Sequence, residues 1–316
     1  VRAEEAAGSD VAAEPAPAGE QGVVVQGGAG VYRVDAGGET LLCTARGALT
    51  RENGYATPVA VGDEVVVERA GAGRGVITAV LPRRSALVRP DSFRGTQQQV
   101  LVANAEQLLI VASWREPAIW FELVDRYLIA AARHGLAPII CVNKIDLAES
   151  PAEYNRRLAP YRALGHPIVY TSAETGAGVA ELRGLLRGRV TALAGLSGVG
   201  KSSLLRAVQP GLDLRVADVS AVHHEGRHTT TQASMHRLDA GGYVVDTPGI
   251  REFGLLGMTR AELLGYFPEI AEAAAGCRFA DCTHDGEPGC AVGAAVGRRI
   301  SPDRYHSYRK ILESLD

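Results

Sequence analysis

The sequence predicts an α/β protein: a parallel sheet with helices on both faces, preceded by a small β-barrel and followed by a mainly helical, cysteine-bearing segment. Three observations point there. Between residues 107 and 208 short apolar runs alternate with helical stretches, the pattern of βαβ units. A glycine-rich loop at 195–202 lies between one such run and the start of a helix. Five short β-type runs broken by turn residues occupy 22–80. With 316 residues the chain can bury a sizeable core and is long enough for two or three domains.

The first twenty residues are rich in Ala, Pro, Gly and acid without apolar periodicity, and 1–20 reads as a disordered acidic tail. Glu4, Glu5, Asp10, Glu14 and Glu20 face only Arg2 there, so a formal charge of −3 leaves the remainder near neutral. Any basic nucleic-acid face must therefore be local. The tail lacks the basic and apolar regions of a signal peptide, and no later stretch holds eighteen uninterrupted apolar residues. A soluble, cytoplasmic protein without a membrane partner is expected.

Runs 22–25, 31–34, 40–44, 64–68 and 75–80 are the candidate strands of a domain over 21–95. Five strands match an OB-fold; an SH3-like barrel or another small β-domain is the alternative. The chain turns basic around Arg83, Arg84, Arg89 and Arg94, then passes through Gln97, Gln98 and Gln99 into a central domain over 96–256. Its first strand, 107–113, is short, apolar and β-branched, as expected when both faces are buried. Further strands are expected at 138–142, 168–170 and 190–194, with helices near 121–134, 152–164, 179–186 and 201–208. Residues 234–238 and 243–245 can add an antiparallel hairpin. From Thr259 the chain reads as helical, within a C-terminal domain over 257–316.

The loop Gly195-Leu196-Ser197-Gly198-Val199-Gly200-Lys201-Ser202 matches G-x-x-x-x-G-K-S in the strand–loop–helix context that motif needs. Its glycines let backbone N–H groups turn inward around phosphates, and the helix N-terminus adds a favourable field. Lys201 would neutralise the β- and γ-phosphates, and Ser202 would offer its hydroxyl to Mg²⁺. This loop alone fits ATP or GTP. Asn143-Lys144-Ile145-Asp146 decides for guanine: Asp146 can accept from two adjacent N–H groups on the guanine edge, while the Lys144 stem covers the base. Thr171-Ser172-Ala173, one βα unit later, resembles the S-A element whose backbone touches the guanine carbonyl.

Asp246-Thr247-Pro248-Gly249 follows a strand and offers a carboxylate for Mg²⁺ through water and a glycine N–H for the γ-phosphate. Between it and the phosphate loop lies Gly226-Arg227-His228-Thr229-Thr230-Thr231, placed to switch with the γ-phosphate. Thr230 is the first candidate for the Mg²⁺ ligand and Thr229 the second. Ile250 stands where Ras-like proteins keep a glutamine, so another group must position water: His228, with His223 and His224 as alternatives. Slow intrinsic hydrolysis raised by a partner is expected. Lysine usage supports the motifs, for Lys144, Lys201 and Lys310 are the chain's only lysines and two of them fall inside nucleotide motifs.

Cys277, Cys282, His284 and Cys290 give three thiolates and an imidazole within fourteen residues, a set suited to closed tetrahedral Zn²⁺, one structural ion per chain. Five cysteines, three of them clustered, favour a metal site over a disulfide framework.

The guanine signature precedes the phosphate loop by about fifty residues, the reverse of the usual order, which indicates a circular permutation. That order, with the Cys-Cys-His-Cys cluster, resembles the ribosome small subunit-dependent GTPase A family from about Gly22 to the C-terminus. Supporting stretches are the phosphate loop through Ser203, His228-Thr229-Thr230-Thr231, Asp246-Thr247-Pro248-Gly249-Ile250-Arg251-Glu252-Phe253 and Glu287-Pro288-Gly289-Cys290-Ala291-Val292. The resemblance implies a circularly permuted P-loop GTPase domain with an N-terminal OB-fold and a C-terminal zinc-binding domain. It further implies GTP hydrolysis stimulated by the small ribosomal subunit late in its maturation, with ribosomal RNA contacted by the flanking domains. A monomer binding GTP or GDP is expected. Arg46, Arg51, Arg83, Arg84, Arg278, Arg298, Arg299, Arg304 and Arg309 are the candidates for RNA phosphates. Two other readings remain: an ATPase or kinase, which Asp146 disfavours, and a non-catalytic RNA-binding module that holds nucleotide structurally.

Overall fold

The structure, a computed structural model, describes residues 19–28, 30–50, 58–90, 98–212, 233–246, 255 and 257–315. Strands β1 (Glu20–Gly28), β2 (Val31–Ala36), β3 (Glu39–Ala45), β4 (Glu64–Arg69) and β5 (Arg74–Val80) form the N-terminal unit. They run in the order β1-β2-β3-β5-β4, and β4 pairs back onto β1 to close the barrel. All pairs are antiparallel except β3 with β5. Closure and this strand order settle the choice in favour of the OB-fold. Alternate residues face inward: Val24, Val34, Leu41, Val65 and Ile77 have no solvent exposure.

A hairpin, β6 (Ala86–Pro90) with β7 (Gln98–Ala103), straddles the expected junction at 95/96. Sequence pattern did not reveal it, because its apolar runs, 86–88 and 100–103, are short and lie beside arginines and glutamines. Leu87, Val100 and Val102 are nevertheless buried. Close backbone contact ties the hairpin to the barrel: Ala103 N donates to the Val61 carbonyl at 2.8 Å. Gly62 permits this approach, since a Cβ there would stand 2.1 Å from the Ala103 carbonyl and its φ is +90°.

The central sheet is built from β8 (Gln107–Ser113), β9 (Ala137–Asn143), β10 (Ile168–Tyr170), β11 (Val190–Ala194), β12 (Ser234–Arg237) and β13 (Tyr243–Asp246). Their order is β10-β9-β8-β11-β13-β12, parallel throughout except for β12. Every residue of β8 is buried, as its composition predicts. Leu108 and Ile110 join the core under α1 (Phe121–Arg133) and α2 (Pro151–Ala163). Leu109 and Val111 face the other layer, α3 (Val179–Leu186) and α4 (Lys201–Val208). The barrel continues this sheet, for Gln26 of β1 pairs with Ser234 of β12 and the Tyr243 hydroxyl donates to Asp35 at 2.8 Å.

Four helices follow: α5 (Arg260–Gly265), α6 (Pro268–Ala274), α7 (Ala291–Ala295) and α8 (Pro302–Glu313). A capping box between Thr259 and Glu262 starts α5. Leu263, Phe267, Ile270, Val292 and Ile311 are fully buried in this unit's own core. Helix α8 docks on α1 through Arg304, which reaches Asp125 at 2.5 Å and Glu269 at 2.6 Å and lies 4.3 Å from the Phe267 ring centre. Burial alone would lower this guanidinium's pKa, but Asp125 and Glu269 hold it above its ordinary value, so it stays charged.

Three of the expected RNA contacts therefore serve the fold. Arg304 is 2% exposed, and Arg83 holds the fully buried Asp63 in a two-pronged pair at 2.7 and 2.8 Å. Arg309 is mostly buried and paired to Asp285. A lone arginine in sequence carries no sign of whether a carboxylate waits for it. Arg51 lies outside the described residues. Among the described residues no helix is long and apolar enough to cross a membrane.

Candidate functional site

The nucleotide motifs meet at the carboxyl ends of the parallel strands, where open α/β sheets hold their ligands. The phosphate loop leaves β11 and enters α4 at Lys201. Gly195, Gly198 and Gly200 all have positive φ, at 148°, 82° and 95°. The loop cannot take side chains at its two ends. A Cβ at Gly195 would stand 2.2 Å from the Val111 carbonyl, and one at Gly200 would stand 2.4 Å from the Asn143 side chain. Val199 is buried and pins the loop, while the Lys201 ammonium donates to the carbonyls of Gly195 at 3.0 Å and Leu196 at 2.9 Å. Ser197 and Ser203 are exposed and Ser202 is half-buried.

Asn143 joins three loops. Its amide donates to the Val199 carbonyl at 2.9 Å, and its oxygen accepts from Ala173 N at 3.2 Å and from the Thr171 hydroxyl at 3.3 Å. It is 1% exposed, so these bonds compete little with water. Lys144 follows in a left-handed conformation, φ 60°, and its ammonium donates to the Glu116 carbonyl. Asp146 is exposed in the 3-10 turn Ile145–Leu147. Ser172 is fully buried, its hydroxyl accepting from Thr175 N at 3.1 Å. Asp246, half-buried at the end of β13, stands opposite Leu193 of β11 and so beside the phosphate loop. Thr229, Thr230, His223, His224, His228, Gly249 and Ile250 lie outside the described residues.

The structure adds what the motifs do not spell out. Nothing in N-K-x-D announces that its asparagine clamps the phosphate loop, nor that the Glu116 carbonyl receives the Lys144 ammonium.

The cysteine cluster is a second centre. The ligand atoms of Cys277, Cys282, His284 and Cys290 lie within 4.8 Å of one another. Backbone geometry shapes it: His284 has φ 64°, and Cys290 caps α7 by accepting from Gly293 N. The Glu287 carboxylate accepts from Thr283 N and Asp285 N, both at 2.7 Å, which braces the turn carrying Cys282 and His284. Bonds from Thr283 and neighbouring backbone groups hold that carboxyl down to about 2. Three sulfurs and one imidazole converge, with no fifth His, Cys, Asp or Glu donor among the described residues, which fits a closed tetrahedral metal site.

A parallel sheet carrying a phosphate loop, an N-K-x-D loop and an aspartate at the carboxyl ends of its strands, in permuted chain order, defines a circularly permuted P-loop GTPase. The profile described as RsgA GTPase matches residues 80–256 and that of the RsgA N-terminal domain matches 21–77. The chain belongs to the RsgA GTPase family. It is 43% identical to the small ribosomal subunit biogenesis GTPase RsgA of Gemmatimonas aurantiaca, across 93% of this chain and 97% of that protein. The Pseudomonas aeruginosa protein of the same description is 48% identical over 80% of this chain and 75% of its own length. Among solved structures, YjeQ from Thermotoga maritima superposes with a TM-score of 0.70 at 36% identity, covering 94% and 98% of the two chains. YloQ, described as a circularly permuted GTPase, gives 0.67 at 29% identity, with 94% of each chain covered.

Proposed function

We propose that this GTPase acts in maturation of the small ribosomal subunit, binding the subunit and its RNA and hydrolysing GTP faster when bound. Its similarity to small ribosomal subunit biogenesis GTPases supports the subunit. The observation that carries the nucleotide half is Asn143, which locks the phosphate-reading and guanine-reading loops into one unit. In this reading the backbone of 195–200 and Lys201 hold the phosphates, with Ser202 and Ser203 at the helix start. Asp146 reads the guanine edge, and Ala173 N meets its carbonyl beside Ser172. Ser202 and Thr230 hold Mg²⁺, Asp246 supports it through water, Gly249 senses the γ-phosphate, and His228 positions the attacking water. The four-residue cluster holds one structural Zn²⁺. The chain works as a monomer, in the cytoplasm where subunits mature.

The exposed cations suggest where RNA lies. Arg278, Arg298 and Arg299 are exposed in the C-terminal unit, and Arg46 and Arg84 on or beside the barrel. Two further arginines escaped the sequence reading. Arg33 and Arg74 flank Leu42 in one cross-strand row on the outer face of β2, β3 and β5, and Leu42 is 46% exposed. The direct test is co-sedimentation with purified small subunits, with large subunits as control, in a non-hydrolysable GTP analogue across a salt series. Binding to small subunits alone, weakening steeply as salt rises, is expected. Equal pelleting with both subunits, or with neither, contradicts the reading.

A further inference from the structure

The segment between β8 and α1 belongs to none of the nucleotide motifs, yet it touches both loops they form. Ser113, the last residue of β8, pairs with Asn143 across β9, and Trp114 N donates to the Asn143 carbonyl at 2.8 Å. The Ser113 hydroxyl, on a residue 1% exposed, donates to the Pro117 carbonyl at 2.6 Å and closes 113–117 into a strap. Within the strap Glu116 takes φ 57°, a conformation that non-glycine residues adopt only when their surroundings impose it. That conformation presents the Glu116 carbonyl to the Lys144 ammonium, which donates to it. On its other flank Pro117 lies against the phosphate loop, 3.8 Å from where a Cβ on Gly198 would stand. Arg115 reaches Glu149 and Glu153, each at 3.5 Å, beyond the guanine loop.

We propose that Ser113 is a positioning residue for guanine-nucleotide binding: by fixing the strap, it holds the Glu116 carbonyl on the Lys144 ammonium and keeps the lysine stem laid where the base stacks. The proposal rests on Asn143-Lys144-x-Asp146 being the guanine loop. A lysine stem has four rotors, and ordering them only when nucleotide arrives would weaken binding. Tying the head beforehand removes that loss, the general benefit of preorganisation. The hydroxyl therefore acts on affinity through Lys144 without touching nucleotide.

The carbonyl cannot be removed by substitution, but the hydroxyl can. The measurement is the dissociation rate of a fluorescent GDP derivative from the full chain carrying Ser113→Ala, Ser113→Thr, Lys144→Ala, or Ser113→Ala with Lys144→Ala. Ser113→Ala should release GDP about fivefold faster, the size of one net hydrogen bond. Ser113→Thr, which keeps the hydroxyl, should restore slow release. In the Lys144→Ala background the serine change should add nothing, because the group it positions is gone. A serine that merely supports the fold would multiply the lysine effect, and that result overturns the proposal, as does unchanged release from Ser113→Ala. Unchanged release from Lys144→Ala overturns the guanine-loop reading itself, and the proposal with it.

Discussion

Asp146 is exposed while Asn143, three residues earlier, is buried, and the difference assigns them different work. Asn143 satisfies its hydrogen-bonding groups on protein, bridging Val199, Ala173 and Thr171. Asp146 exposes its carboxylate, which the proposed function assigns to the guanine edge. Replacing it with asparagine puts an N–H donor where guanine also donates, and should weaken GTP binding about ten- to a hundredfold, as expected for a lost charged hydrogen bond. Xanthine nucleotides, which present an oxygen at the position of the guanine amino group, should gain in the same variant. A competition titration of Asp146→Asn with XTP against GTP checks this; an undiminished GTP preference would contradict it. At this scale the motifs were legible because each needs particular residue types at fixed spacing. Partnerships formed in three dimensions were not. Arg83 and Arg304 look in sequence like any surface arginine, and only the fold brings Asp63 and Asp125 to them.

Elements were legible where their apolar period was long enough. β8 read as a strand buried on both faces, and the structure buries it on both. The hairpin β6–β7 escaped because its buried residues are few and are framed by polar ones. How the C-terminal helices dock was equally hidden, since the joint combines a buried charge cluster with Ile129 of α1, which packs into the C-terminal core. Helix α8 meets α1 through Arg304, whose side chain is 3% exposed against a fully buried Asp125 carboxylate. Removing one partner of such a buried pair leaves the other charge stranded, so Arg304→Met should destabilise the protein by about 3–5 kcal/mol. Replacing both, Arg304→Met with Asp125→Leu, should cost less than the single change, because no carboxylate is then stranded at position 125. Denaturant unfolding of the two variants checks the order; a single variant as stable as the parent would show that the joint does not hold α8 in place.

Across the whole molecule, the sheet gathers motifs that the permuted chain visits in reverse order. N-K-x-D follows β9, the phosphate loop follows β11 and Asp246 ends the neighbouring β13, so all three reach the carboxyl end of one sheet although the chain visits them in an unusual order. The consequence of that order lies in the neighbours. The barrel extends the sheet through β1 and β12, and the Tyr243–Asp35 bond ties it to the strand that ends in Asp246. After Asp246 the chain goes on to the C-terminal unit, which folds back onto α1. Both flanking units are thereby joined to the sheet that carries the nucleotide site, an arrangement suited to a GTPase that answers to a large RNA-containing partner. Single-turnover GTP hydrolysis, measured with increasing purified small subunits and with large subunits as control, tests this most directly. The account predicts slow hydrolysis by the protein alone, a saturable rise with small subunits, and no rise with large ones. A rate indifferent to small subunits, or raised equally by both, would contradict it.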